Sequence, residues 1–190
     1  MNGDQMTNET SETTSNAFLA IDLPNEIKQE LAVFIHSLKE HDQKTHWTRS
    51  ENLHITLKFL GNISAEEQEK VIQIVTPIIR SHRHFDLSFN KIFYLPACNS
   101  SRIIALSPTP ISPLASLAID IEHALIEQGF KPEKKEFKPH MTLGSLCSKT
   151  HTKKFYLPKI GKRSIEYSVL NTVFKSTSTV LRDHPNCRFF

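Results

Sequence analysis

The sequence contains few cysteines, few glycines and no long apolar segment, and each shortage excludes a class of protein. The three cysteines (Cys98, Cys147 and Cys187) are widely spaced, which predicts neither a disulfide framework nor a CxxC zinc site. The five glycines form no glycine-rich phosphate loop. No segment approaches the roughly 20 apolar residues of a membrane span. We therefore expect a reduced, cytoplasmic protein that uses no metal, no cofactor and no membrane.

The N-terminal segment differs in composition from the rest of the chain. Residues 1–16 are polar and lack the basic start and apolar run of a secretory signal, which predicts a disordered tail. Residues 17–190 are predicted to form a single domain, because a hydrophobic content of 38% can supply a core. The formal net charge of +3 suits an anionic ligand but falls short of a dedicated duplex-binding protein.

Apolar periodicity predicts three helices among short strands. Helical spacing of apolar residues covers 26–40, a second helix follows the capping box Ser64-Ala65-Glu66-Glu67, and a third follows Pro113. Without regular strand-helix alternation, this order favours an α+β fold with mainly antiparallel sheets. The predicted strands span 17–23, 47–59, 85–95, 102–107, 136–146, 164–175 and 178–182, with a last extended piece at 188–190.

The most informative feature is a tetrapeptide pattern that occurs twice. His54-Ile55-Thr56-Leu57 is the first motif and His140-Met141-Thr142-Leu143 is the second. Alternate side chains of a strand share one face, so each motif presents an imidazole beside a hydroxyl and directs two apolar side chains to the opposite face. One such pair alone is more often a hydrogen-bonded strand histidine, but two copies in matching contexts favour a functional site.

The two motifs together predict acid-base chemistry at a tetrahedral anion. They lie 86 positions apart (140 − 54), which suggests two similar halves related by a pseudo-two-fold axis, with both polar pairs facing one cleft. Imidazole titrates near pH 6.5, so one histidine can be neutral while the other is protonated. A general base and a general acid, together with hydroxyls that donate to non-bridging oxygens, are what phosphodiester cleavage requires.

Three segments carry a resemblance to a known family. They are residues 18–24 (Phe-Leu-Ala-Ile-Asp-Leu-Pro), 51–61 (Glu-Asn-Leu-His-Ile-Thr-Leu-Lys-Phe-Leu-Gly) and 138–143 (Lys-Pro-His-Met-Thr-Leu). With these segments the chain resembles the two-histidine (2H) phosphoesterase superfamily, and within it the RNA 2′,3′-cyclic phosphodiesterases, also called 2′-5′ RNA ligases. The resemblance implies a bilobal fold in which two mainly antiparallel sheets surround a central groove and helices lie outside.

The resemblance also implies an activity and a role for each motif residue. The expected reaction is metal-independent hydrolysis of an RNA or nucleoside 2′,3′-cyclic phosphate to a 2′-phosphate, and reversible 2′-5′ RNA ligation is a further activity of the family. By analogy, His140 is the proton acceptor and His54 the proton donor. Thr56 and Thr142 would donate to the non-bridging phosphate oxygens.

Three flanking positions are further candidates for substrate binding. Phe59 matches a family position whose ring can stack on a nucleobase, but strand alternation puts it opposite His54, so a core role stays open. Ser145 stands where relatives commonly carry a phosphate-binding arginine. Lys58 shares the alternation of His54 and could supply that missing charge; a solvated lysine is the alternative.

Two other readings stay open. The first keeps the fold and changes the substrate to 2′-5′-linked oligoadenylates or RNA 3′ ends, which the replacement of arginine by Ser145 makes credible. The second is a non-catalytic RNA-binding module, against which the presence of both complete motifs argues. For the main hypothesis we expect RNA ends or small cyclic nucleotides as substrates, and we expect a monomeric protein.

Overall fold

Helices and strands follow each other in the irregular order expected of an α+β protein. The computed structural model describes residues 14–83, 85–96, 102–146, 165–167 and 172–176. Within them the helices are α1 (Asn25–His41), α2 (Ala65–Ser81) and α3 (Ser112–Glu127), and Ser50–Asn52 forms one 3-10 turn. The strands are β1 (Ser15–Asp22), β2 (His46–Trp47), β3 (His54–Ile63), β4 (Phe85–Pro96), β5 (Arg102–Thr109), β6 (Met141–Leu146), β7 (Ile165–Tyr167) and β8 (Thr172–Ser176).

The strands pair in one antiparallel path with a narrow junction. The order is β7-β4-β5-β6-β3-β1-β8, and β2 pairs with β6 outside this path. The two expected sheets are therefore connected: β7-β4-β5-β6 and β3-β1-β8 meet between β6 and β3. In the described register, that junction consists of Ile55 paired with Met141. Each of these residues immediately follows a motif histidine, so the junction brings the two motifs together.

One hydrophobic core lies beneath this junction. The apolar residues of both motifs are buried, with Ile55, Met141 and Leu143 fully inaccessible and Leu57 5% exposed. They belong to the same cluster as the apolar stripes of the three helices. Burying each such side chain contributes about 1.5–3 kcal/mol, so the core fixes which face of β3 and β6 points inward. The predicted alternation within each motif, with apolar residues inward, is confirmed.

The predicted ends of several elements shift. Helix α1 begins and ends close to the expected 26–40, and α2 begins at the predicted capping box, which Ser64 and Glu67 form through bonds of 3.1 and 2.8 Å. Strand β6 begins at Met141 and not at residue 136, since Pro139, within the predicted strand, lacks the amide hydrogen that strand pairing needs. Strand β3 continues beyond the expected stop to Ile63, with Gly61 at a φ of +75°.

Some predictions fall outside the described residues. Strand β1 begins at Ser15, so the predicted tail overlaps it by two residues, and the rest of the tail prediction concerns residues 1–13. The strands predicted at 178–182 and 188–190 lie outside the described part of the chain, as do all three cysteines. Among the helices that are described, none is both long enough and apolar enough to cross a membrane.

Candidate functional site

The two motifs lie side by side where the halves of the sheet meet. Strands β3 and β6 are antiparallel and pair Ile55 with Met141. Residues that flank such a pair face each other across the strands, which sets His54 opposite Thr142 and His140 opposite Thr56. The two histidines then occupy diagonal positions, for which Cα separations are typically about 7–8 Å. Both imidazoles and both hydroxyls are thus within reach of one small group above the junction.

The same hydrogen bond orients both imidazoles. Nδ1 of His54 lies 2.7 Å from the carbonyl oxygen of Asn52, and Nδ1 of His140 lies 2.7 Å from that of Lys138. A carbonyl oxygen only accepts, so Nδ1 is the donor in each case and carries the hydrogen. Nε2 of each ring therefore holds the lone pair in the neutral state and the second N–H in the protonated state. Either histidine can exchange a proton with a substrate through Nε2.

His54 is packed against an aromatic ring that the sequence analysis did not single out. The ring centroid of Phe18 lies 4.9 Å from that of His54 at an interplanar angle of 27°. Phe18 is 2% exposed and also contacts Phe59, at 6.0 Å and 50°. In the sequence Phe18 is one residue of an apolar run. Its contact with His54 becomes visible only from the register of β1 with β3, which pairs Phe18 with Phe59 and Asp22 with His54.

A bulge in β3 changes which side chains share the face of His54. Strand β1 pairs Ala20 with Thr56 and Leu19 with Lys58, so Leu57 is an extra residue on β3. Such an insertion reverses the alternation beyond it. Phe59, which is 51% exposed, therefore lies on the same side as His54. Of the two alternatives for Phe59, the structure favours the groove side over the core.

The same bulge overturns the prediction for Lys58. Lys58 points into the protein, where its side chain is 2% exposed and forms an ion pair with Glu122 of α3. Its ammonium also donates to the carbonyl oxygen of Lys131 at 3.0 Å. The prediction that Lys58 shares the side of His54 is wrong because the alternation reverses at Leu57, and the solvated alternative is wrong as well. The positive charge of Lys58 is engaged within the fold.

Ser145 lies on the same side of β6 as the second motif. Strand β5 pairs with Thr142 and Gly144 through consecutive residues, so Leu143 is an extra residue and Ser145 returns to the face of Thr142. Strand β2 covers this end of β6, where His46 pairs with Ser145. Gly144 permits that approach, because a Cβ there would lie 2.9 Å from the carbonyl oxygen of His46. A half-buried hydroxyl thus stands at position 145, where the family resemblance led us to expect an arginine.

Two further titratable groups, His82 and Tyr94, lie outside the two motifs. His82 is hydrogen-bonded to Asp120 of α3 at 2.8 Å. Burial raises the pKa of Tyr94 on β4; the nearby carboxylate of Asp42 raises it further, and Arg102 opposes the shift. Within the described ranges, no three His, Cys, Asp or Glu residues lie close enough together to hold a metal ion.

Comparison with known proteins identifies relatives across most of the chain. A family model described as the 2′-5′ RNA ligase superfamily matches residues 27–169. The RNA 2′,3′-cyclic phosphodiesterase of Methanocaldococcus jannaschii is 33% identical over 127 residues, covering 67% of this chain and 69% of that protein. The protein of the same name from Methanothermobacter thermautotrophicus is 27% identical over 128 residues, again covering 67% and 69%.

Solved structures agree with this assignment. Escherichia coli LigT complexed with 3′-AMP matches with a TM-score of 0.60 and 26% identity over 77% of this chain and 79% of that chain. The apo form of the same protein matches with a TM-score of 0.61 and 27% identity, covering 74% and 77%. The similarity confirms the expected two-lobed α+β fold. With both motifs inside residues 27–169, the chain belongs to the 2′-5′ RNA ligase superfamily.

Proposed function

We propose that this protein hydrolyses RNA or nucleoside 2′,3′-cyclic phosphates to 2′-phosphates with a pair of histidines as acid and base. The observation that carries the proposal is the pairing of Ile55 with Met141, because it puts two His-x-Thr motifs beside each other at one junction. The names of the curated relatives, RNA 2′,3′-cyclic phosphodiesterase, support the same reaction. The structures of LigT with 3′-AMP and with phosphate support a site for a nucleotide or phosphate.

In the proposed reaction, protons move through the Nε2 atoms of the two histidines. Nε2 of His140 takes a proton from water as the water oxygen forms a bond to phosphorus. The bond between phosphorus and the 3′ oxygen breaks, and Nε2–H of His54 gives its proton to that oxygen. The product keeps its phosphate on the 2′ oxygen. The choice of His140 as acceptor and His54 as donor follows the family, since the junction is locally symmetric.

The two threonines are proposed to bind the phosphate. Thr56 and Thr142 flank the junction on the face opposite the core, and each is half-buried. A hydroxyl that donates to a non-bridging oxygen stabilises the charge that develops in the transition state. The loss of one such donor typically lowers kcat by about 100- to 1,000-fold. Phe59, on the same side as His54, is proposed to stack on the base.

The test is hydrolysis of the four nucleoside 2′,3′-cyclic phosphates in EDTA, with 2′- and 3′-monophosphates resolved by chromatography. We expect the 2′-phosphate from the intact protein, and a fall in kcat of about 100- to 10,000-fold in both His54→Ala and His140→Ala. His36→Ala is the matched control, because His36 is a surface residue of α1 with 75% side-chain exposure. A 3′-phosphate product, or activity retained in either motif variant, would refute the mechanism.

A different phosphodiester substrate is the second candidate, and the location of Ser145 favours it. Ser145 is neutral and lies on the face of Thr142, so this face lacks the positive charge that the family resemblance leads us to expect there. Assays of 2′-5′-linked oligoadenylates and of RNA with varied 3′ ends, with His54→Ala as control, separate this candidate from the first. RNA binding that survives both histidine substitutions, with no turnover of any substrate, would indicate a binding module.

We also propose that the protein is a cytoplasmic monomer and that ligation accompanies hydrolysis. The absence of a predicted disulfide framework supports the reduced compartment. Light scattering after size exclusion measures the mass in solution, and a mass above 21.7 kDa by an integer factor would refute the monomer. Incubation of RNA 2′,3′-cyclic phosphate ends with 5′-hydroxyl RNA, followed by analysis of the linkage, tests 2′-5′ ligation.

A further inference from the structure

A buried ion pair connects the strand of the first motif to the loop that leads to the second. The side chain of Lys58 on β3 is 2% exposed and that of Glu122 on α3 is 22% exposed. The Lys58 ammonium bonds to Oε2 of Glu122 and donates to the carbonyl oxygen of Lys131 at 3.0 Å. Oε1 of Glu122 accepts the backbone N–H of Glu133 at 2.7 Å. The pair therefore holds the backbone of the loop at two points.

The tethered loop ends at His140. Between Gln128 and His140 the chain forms neither helix nor strand, so tertiary contacts determine where this loop lies. The loop is held at Lys131 and Glu133, and its last residues supply the Lys138 carbonyl that accepts from Nδ1 of His140 at 2.7 Å. Pro139, directly before His140, is buried and has a fixed φ. A shift of the loop at Lys131 or Glu133 would therefore also move the backbone that positions the His140 ring.

An ion pair at this place is not explained by stability alone. Removing two charges from water costs about as much as their attraction returns, and a pair of apolar residues often stabilises a fold equally well. The charged pair differs from an apolar pair because it fixes the position of the loop. Each of its contacts with the loop is a directional hydrogen bond to a defined backbone atom. Since Lys58 is only two residues beyond Thr56, these bonds locate the loop relative to the first motif.

We propose that Lys58 and Glu122 are positioning residues that hold His140 in register with the first motif. The proposal rests on the proposed function where it concerns turnover, and on geometry alone where it concerns the place of the His140 ring. Neither residue is expected to contact the substrate. Loss of the pair should lower kcat and leave the KM for a small cyclic nucleotide largely unchanged.

The experiment compares Glu122→Gln and the double variant Lys58→Met/Glu122→Gln with Asp120→Asn. Glu122→Gln keeps an acceptor for the Glu133 amide but leaves the buried ammonium uncompensated; the double variant removes both charges and is the one interpreted if the single variant does not fold. Asp120→Asn is the control, because it breaks a different ion pair of α3, with His82.

We expect the double variant to lose about 10- to 100-fold in kcat, with KM within about twofold of the parent protein and Asp120→Asn unchanged. Imidazole ¹H–¹⁵N spectra of the ligand-free proteins should show the His140 signals shifted in the double variant and the His54 signals largely unchanged. A folded double variant with the parent's kcat and His140 signals would overturn the proposal.

Two readouts separate this proposal from the proposed function. If no substrate is turned over, the proposed function fails, and the His140 signals alone decide the positioning role. Amide exchange in the parent protein adds a measurement that needs no variant. Although Glu133 is exposed, its amide should be protected from exchange, because its N–H donates to Glu122. Exchange at the rate of an unfolded chain would refute this contact between the ion pair and the loop.

Discussion

The contact between Phe18 and His54 yields the prediction that the structure supports in most detail. Phe18 is 2% exposed, and its ring lies 4.9 Å from the imidazole. Phe18→Leu keeps most of the apolar volume and removes the ring contact, which in aromatic pairs is worth about 0.5–1.5 kcal/mol. If that contact holds the imidazole in its productive orientation, kcat should fall by about 2- to 13-fold. KM should change little, because Phe18 is covered by its neighbours and presents almost no surface to the substrate.

Phe34→Leu provides the matched control for this substitution. Phe34 lies on α1, is 5% exposed and belongs to the hydrophobic core beneath the sheet. Both variants should unfold at lower urea concentration than the parent protein, since each loses buried apolar surface. Only Phe18→Leu should lose kcat on a nucleoside 2′,3′-cyclic phosphate. Equal kcat in the two folded variants would refute an orienting role for Phe18.

Three further substitutions test other parts of the structure. Phe59→Ala should raise KM for bases that stack, by the equivalent of about 1–3 kcal/mol, and an unchanged KM would exclude stacking. Ser145→Arg should lower KM in low salt by restoring a charge on the face of Thr142; no change would mean that the site does not need it. Burial raises the pKa of Tyr94, so the folded protein binds that proton more tightly and its stability falls as the pH rises above the ordinary value of about 10. Urea midpoints of Tyr94→Phe should fall less over that range, and parallel curves would contradict the shift.

The sequence predicts the alternation of side chains within the two motifs correctly, because that geometry is local. From each histidine to its threonine the alternation spans two residues, and the flanking apolar residues are buried as expected. The helices were equally predictable, because stripes of apolar residues and a capping box mark them directly. The shorter elements were not: β2 has two residues, too few for any period to be visible.

The site prediction that failed, for Lys58, lies directly beyond the bulge at Leu57. No glycine or proline marks this position in the sequence, although Gly61 does mark the irregular end of the same strand. A single inserted residue exchanges the faces of Lys58 and Phe59, which turns a proposed phosphate ligand inward and brings Phe59, for which a core role stayed open, to the side of His54. The partner of Lys58, Glu122, is 64 positions away, a contact that no local pattern encodes.

The two motifs are alike in sequence and in the hydrogen bond that each Nδ1 makes, but they differ in what supports them. Each imidazole donates through Nδ1 to the carbonyl two residues earlier, so this bond does not distinguish a proton donor from a proton acceptor. Chemically identical groups take opposite roles in a reaction only where their environments differ. Here His54 is stacked on an aromatic ring of β1, whereas His140 ends a loop held by an ion pair between β3 and α3. The features that distinguish the two histidines therefore lie outside the tetrapeptides, and the assignment of donor and acceptor has to be sought there.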